Sequence, residues 1–279
     1  MSTRQASACG KIILSGEYAV VFGYPGIAIP SQHQLTAMWE PGTGPLTIEW
    51  DELSANPEWE SYLRQIVLLC GNPTGRLTID NSIPLQRGMG SSTALVVAVT
   101  RAILGDDARE RALAIEDEVN PGHSGLDFAV ICENQPLAFR KGLPPQPAAI
   151  DLSFLNHATL IDTGKPDQTT PELVTWVKER ERDLKDAFVL IGQCTEALLV
   201  GEHPMTVFPD HHRAQLALGV VPDHVHELIL EIEHAGGAAK VIGAGGKTGG
   251  GGMVIAIHAH SEQVQSIAHR RTLGIWKAK

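Results

Sequence analysis

Apolar residues along this chain fall in short runs broken by glycine and proline, and three of those runs stand beside glycine clusters. In the first, residues 10–30, the apolar runs 12–14, 19–22 and 27–29 are interrupted by Gly16, Gly23 and Pro25-Gly26. That pattern predicts short strands joined by turns. In the second, residues 77–80 predict a strand, residues 83–90 a loop, and residues 92–104 a helix. The helix sequence STALVVAVTRAIL is apolar almost all round, so the helix is expected to be buried. In the third, residues 238–257, a glycine-dense loop lies between two apolar, strand-like runs.

The second half of the chain patterns mostly as helices. Thr170-Pro171 predicts an N-cap followed by proline at the first helical position, and charges alternate from there to about Asp186 as on a solvated face. Val225, Leu228, Ile229 and Ile232 keep helical spacing, and Gly236-Gly237 ends that helix. Residues 158–161, 187–191 and 253–257 predict strands. Strands and helices do not alternate strictly, which favours an α+β class. The proline-rich stretch 141–151 is the candidate junction between two halves.

Composition narrows the function. The chain has 279 residues, 43% of them hydrophobic and 19% charged, which suits one large or two small globular domains. Its formal net charge of −10 disfavours nucleic acid and acidic membranes as partners, and any phosphate site must rely on local donors and a metal. Cys9, Cys70, Cys132 and Cys194 form no CxxC pair, so a zinc cluster is not expected and a reducing, cytoplasmic setting is. No signal peptide or membrane-spanning run is expected either.

The chemistry concentrates in a few segments. Gly88 and Gly90 allow a sharp turn and close approach of a ligand, and Ser91-Ser92 open the buried helix. Free N–H groups and the macrodipole at a helix start make an anion site, to which Arg87 adds a cation. By itself the turn reads more simply as a plain helix start with Ser91 or Ser92 as N-cap. It is not a Walker A loop, and Thr93 stands where the dinucleotide fingerprint needs its third glycine, which argues against a dinucleotide-dependent oxidoreductase. Residues 240–246, with 249–252, offer a second glycine cradle, and Lys247 either touches phosphate or is solvated. Phosphoryl transfer also needs oxygen ligands for a divalent metal and a carboxylate near the nucleophile. Glu116, Asp117, Glu118 and Asp127 are the candidates, although an aspartate in a Ser-Gly turn is also a common cap. The paired histidines His211-His212 and His258/His260 lack a metal-binding partner cluster in the sequence.

In this order, GKIILSGEYAVVFGYPGIAI, IPLQRGMGSSTAL and KVIGAGG resemble the three motifs of the GHMP kinases, and most of all those of the mevalonate kinases within that family. ENQPLAFRKG after HSGLD, LIDTGKPDQTT and DHHRAQLALGVVPDHVHELI are similar to further family segments, so the resemblance covers most of the chain outside residues 35–75. It implies a two-domain α+β fold with the active site in the cleft between the domains. Residues 1–150 would form a ribosomal-protein-S5-like α/β domain with Lys11, the phosphate loop 86–93 and Asp127. Residues 151–279 would form a ferredoxin-like domain with the glycine-rich motif 240–252. It further implies a kinase using ATP and Mg²⁺ on a small-molecule alcohol, (R)-mevalonate first, in isoprenoid precursor biosynthesis. Homodimers are common in the family.

The roles implied by the resemblance fall residue by residue. Asp127 would be base or orienter of the substrate hydroxyl, and Lys11 would pair with it. Glu116 and Ser92, with Ser91 as rival, would hold the metal. Arg87, Gly88, Met89, Gly90, Ser91, Ser92 and Thr93 would line the phosphates. Lys11, Glu17, Tyr18, Asp127, Gly243, Ala244 and Gly245 would meet the substrate, with Gly246 closing the same turn. The chain departs from the family pattern at Cys9 (proline), Tyr18 (histidine), His123, Ile242 (threonine or serine) and Lys247-Thr248, which interrupts the glycine run. These changes leave phosphomevalonate, homoserine and sugar kinases as alternatives, together with a non-catalytic ligand sensor on the same fold.

Overall fold

The computed structural model describes residues 2–279, and it divides the chain into two compact units that interleave in sequence. The first unit gathers Met1–Lys11, Gln32–Pro84 and Gly90–Asn134. The second gathers Ile12–Ser31, Leu85–Met89 and Gln135–Lys279. Two long strands, β1 (Arg4–Ser15) and β2 (Pro25–Pro41), contribute residues to both.

In the first unit the later part of β2 pairs antiparallel with β4 (Gly75–Asn81), and β3 (Thr47–Glu49) lies parallel to β4. Helices α1 (Glu58–Leu69), α2 (Ser91–Leu104), α3 (Arg109–Val119) and α4 (Leu126–Glu133) complete it. The all-round apolar sequence of α2 has the predicted result: residues 94–99 are fully buried, and α1, α3 and α4 all pack on this helix. The predicted strand at 77–80 lies within β4.

In the second unit the early part of β2 pairs with β5 (Leu137–Arg140), which pairs with β6 (Gln146–Pro147). A separate antiparallel sheet has the order β10-β7-β9-β8, built from β7 (Ala158–Asp162), β8 (Ala238–Val241), β9 (Met253–Ile257) and β10 (Gly274–Lys277). Helices α5 (Thr170–Glu179), α6 (Lys185–Leu199), α7 (Pro204–Leu218), α8 (Asp223–His234) and α9 (Ser261–Arg270) belong to this unit. Val225, Leu228, Ile229 and Ile232 of α8 are buried in one cluster with Val241, Val254 and Val264, as their spacing predicted.

Three local expectations change. Residues 187–191 form no strand: Ala187, Phe188, Ile191, Cys194 and Leu198 are the buried face of α6, and a five-residue apolar run cannot by itself tell strand from helix. Residues 19–22 form a single 3-10 turn, because the backbone reverses at Tyr18 and again at Gly23. The cap of α5 is Thr169, one residue earlier than expected, and it makes a capping box with Glu172. That helix ends at Glu179 and does not run on to Asp186.

Candidate active site

The first unit brings Lys11 and Asp127 together. Ser124 and Gly125 turn the chain into α4: Gly125 takes φ 87° and the Leu126 N–H donates to Ser124 Oγ at 3.3 Å. Asp127 therefore lies in the first turn of α4, where the dipole favours a carboxylate. Its Oδ2 is 3.2 Å from Lys11 Nζ. The lysine is buried, whereas the aspartate side chain is 37% exposed, so the pair is open on the carboxylate side. Gly90 makes room for this lysine. A Cβ there would stand 2.8 Å from Ile131 Cδ1 and 3.0 Å from Lys11 Cγ.

Gly90 is also the N-cap of α2, at φ 78°, so the cap is neither Ser91 nor Ser92. Both serines lie inside the first turn, because the left-handed backbone at Gly90 is the conformation that starts the helix. The first ladder bond runs from Ala94 N–H to Gly90 C=O. The amides of Ser91, Ser92 and Thr93 are thus the helix's unpaired donors.

Glu116 of α3 is only 2% exposed. Thr93 Oγ1 donates to its Oε1 at 2.7 Å, while its Oε2 is buried with no hydrogen-bond partner. Burial pushes the Glu116 carboxyl above its usual range, against the pull of Thr93 and Asn120. Asn120 Nδ2 donates to the Tyr62 hydroxyl at 2.7 Å, and that phenol also interacts with the Ser92 side chain. A buried carboxylate oxygen without a hydrogen-bond partner suits a hard divalent cation. Among the described residues no group of three or more His, Cys, Asp or Glu is placed to hold a metal. A cation here would therefore need hydroxyl and ligand oxygens as well. Asp117 serves otherwise: its Oδ1 bonds His123 Nε2 at 2.8 Å, and His123 Nδ1 accepts from the Gly125 N–H. His123 thus shapes the turn before Asp127.

The second unit holds the other predicted residues. Arg87 Nε donates to Asp162 Oδ1 at 2.6 Å, so a carboxylate already faces this cation. Met89 is fully buried. Gly88 (φ 78°) and Gly243 (φ 80°) lie backbone against backbone. A Cβ on Gly88 would stand 2.8 Å from the Ile242 carbonyl oxygen, and one on Gly243 would stand 2.9 Å from Gly88 Cα. Gly245 (φ 66°) is equally confined, because a Cβ would be 2.1 Å from the Val220 carbonyl oxygen. In the interrupted glycine run, Lys247 lies over the Trp176 ring at 4.4 Å, and the Lys247 and Thr248 amides donate to Gln168 Oε1.

Glu17 is buried and ion-paired through Oε1 to Lys240 Nζ, which also donates to the Ile13 carbonyl at 3.1 Å. His211 Nε2 stands 3.1 Å from Glu17 Oε2 but out of line, so neither atom has a hydrogen-bond partner. Burial would raise the Glu17 carboxyl, yet Lys240 and then His211 outweigh it and hold the group at about 2. Next in sequence, Tyr18 is buried and its hydroxyl donates to the Ala244 carbonyl. The polar groups of both predicted substrate residues are thus engaged inside the unit. Sequence reasoning gave no role to Tyr62, Asn120, Asp162 and Lys240, and weighed His211 only as a metal ligand. One signal was present, a lysine inside the apolar strand AAKV, where a charge implies a buried counter-charge.

Residues 61–133 match the GHMP kinases N terminal domain. The mevalonate kinase of Archaeoglobus fulgidus is 28% identical over 261 residues, covering 86% of this chain and 89% of the relative. The crystal structure of the Methanococcus jannaschii mevalonate kinase superposes with a TM-score of 0.80 at 19% identity, over 99% of this chain and 97% of the other. The chain has the GHMP-kinase fold. A Streptococcus pneumoniae phosphomevalonate kinase in complex with phosphomevalonate and AMPPNP has a similar fold, with a TM-score of 0.71 at 18% identity, covering 97% of both chains. Among the described residues, no helix is long and apolar enough to cross a membrane.

Proposed function

We propose that this chain transfers the γ-phosphoryl group of ATP to the primary hydroxyl of (R)-mevalonate, giving 5-phosphomevalonate and ADP. The observation that carries the reading is the pairing of buried Lys11 with half-open Asp127 in the first turn of α4. The name of the Archaeoglobus fulgidus relative supports mevalonate over other alcohols.

In this reading the hydroxyl oxygen forms the new bond to the γ-phosphorus, and the bond to the β–γ bridging oxygen breaks. Asp127 accepts a hydrogen bond from the hydroxyl, orients it, and takes its proton as the bond forms. Lys11 holds that carboxylate in place and stabilises negative charge on the oxygen. The free amides of Ser91, Ser92 and Thr93 bind phosphate oxygens at the start of α2. Glu116 and the Ser92 hydroxyl would hold Mg²⁺, which when bound neutralises charge on the β- and γ-phosphates. Thr93 fixes Glu116 from the other oxygen.

A coupled ADP-release assay with mevalonate, phosphomevalonate, homoserine and galactose tests the reading. Turnover with mevalonate well above the other three is expected. No phosphorylated product from mevalonate would overturn it.

A further inference from the structure

The backbone at Tyr18 is a strained position of the second unit. Tyr18 has φ 62° and ψ −50°, and the Ala19 N–H donates to the Glu17 carbonyl at 2.7 Å across this single residue. That is the rare, strained form of the γ-turn, and a bulky side chain at positive φ makes it rarer still. Such a backbone persists only where its surroundings over-determine it.

Here they do, and both constraints come from one segment. Glu17 reaches Lys240 in β8, and Tyr18 reaches the carbonyl of Ala244 four residues further on. The peptide bond is planar and trans, so fixing the Ala244 carbonyl aims the Gly245 N–H the opposite way. Neighbouring amides are already used: Ile242 N–H donates to the Met253 carbonyl and Gly246 N–H to the Val220 carbonyl. Among the described residues none accepts the Gly245 N–H. Burial, then the Glu17 charge, keeps the phenol protonated and therefore a donor.

We propose that Tyr18 is a positioning residue whose phenol fixes the Ala244–Gly245 peptide, so that the Gly245 N–H is held ready to donate to an anionic oxygen of the alcohol substrate. The substrate half of this proposal rests on the kinase reading above; the strut between Tyr18 and Ala244 does not. It assigns Tyr18 a task other than touching substrate, since its hydroxyl is held by the protein itself.

The test is Y18F, which removes one oxygen and leaves the ring in place. Amide exchange at residues 244–246 should quicken about fivefold, the loss of one net hydrogen bond. The KM for mevalonate should rise by about the same factor, with kcat and the KM for ATP within about twofold. A Y18L variant should reproduce the exchange effect, whatever its stability, when compared with exchange at β7 as an internal reference. Unchanged exchange at 244–246 would overturn the strut. Faster exchange with an unchanged KM for mevalonate would overturn the donor role, as would equal losses in every kinetic constant. If the wild-type protein phosphorylates none of the four alcohols, the kinase reading and the substrate half fall together, and the exchange measurement still decides the strut.

Discussion

Lys11 Nζ stands 3.2 Å from Asp127 Oδ2, with the lysine buried and the carboxylate a third exposed. Two oppositely charged groups so placed differ in exposure: the aspartate is the open side of the pair. A D127N variant keeps the size of the side chain and loses the charge. Its kcat with mevalonate should fall about 10²–10⁴-fold while ATP still binds. Stopped-flow or coupled-assay turnover, alongside calorimetric ATP titration, checks this. A rate equal to wild type would remove Asp127 from the mechanism.

Thr93 and Glu116 give a prediction about metal and pH. Burial raises the Glu116 carboxyl, and the Thr93 hydrogen bond works against that rise. A metal needs the carboxylate form, so the apparent affinity for Mg²⁺ should weaken as pH falls toward the Glu116 pKa. In T93A the carboxyl loses a donor and rises further, so the weakening should set in at higher pH than in wild type. Mg²⁺ titrations across a pH series would show it. Identical pH profiles would count against Glu116 as a ligand.

The buried pair Glu17–Lys240 is a stability element. Removing one partner leaves the other charge buried and uncompensated, which typically costs about 3–5 kcal/mol. K240M should therefore lower the urea unfolding free energy by roughly that amount. E17Q/K240M removes both charges and should recover part of the loss. A double variant as unstable as the single one would argue against the charge as the cause.

Acid should destabilise the fold well before ordinary carboxylates titrate. Burial, then its neighbours His226, His211 and Lys240, lowers His212 to about 3. Burial and Lys240 lower His211 as well, against the opposing pull of Glu17. An unfolded histidine titrates near 6.5, so below about that pH the unfolded chain binds more protons than the native one. Stability is then full above about pH 6.5 and declines as pH drops toward 3. Glu17, held at about 2, adds a further loss between its ordinary value of 4.5 and about 2. Urea midpoints at pH 7.5, 6.0 and 5.0 should fall in that order. A midpoint that held steady or rose would contradict the buried neutral histidines.

How much of this was legible in the sequence depended on range. The buried helix α2, the periodic face of α8 and the glycine loop between β8 and β9 are local patterns, and they could be read directly. Glu116 and Asp127 stood among several carboxylate candidates until the family resemblance singled them out, and Lys11 could be named only through its motif. Residues 187–191 were misjudged because an apolar run of that length has no period of its own, and its helical neighbours decide it. Tyr62, Asn120 and Asp162 were missed for another reason. Each acts through a partner far along the chain, and nothing in composition or spacing marks such a contact. The interleaving of the two units is likewise a product of tertiary contacts, since the chain passes from one to the other five times.

Gly88 and Gly243 lie so close that a side chain on Gly88 would press on the Ile242 carbonyl and one on Gly243 on the Gly88 backbone. The two positions are therefore coupled through one close backbone contact. Change at either alone meets a wall of backbone, so neither can drift while its counterpart stays. A graft of either glycine motif into another scaffold would fail unless the second came with it, and a library varied at residue 88 alone would return almost nothing but glycine.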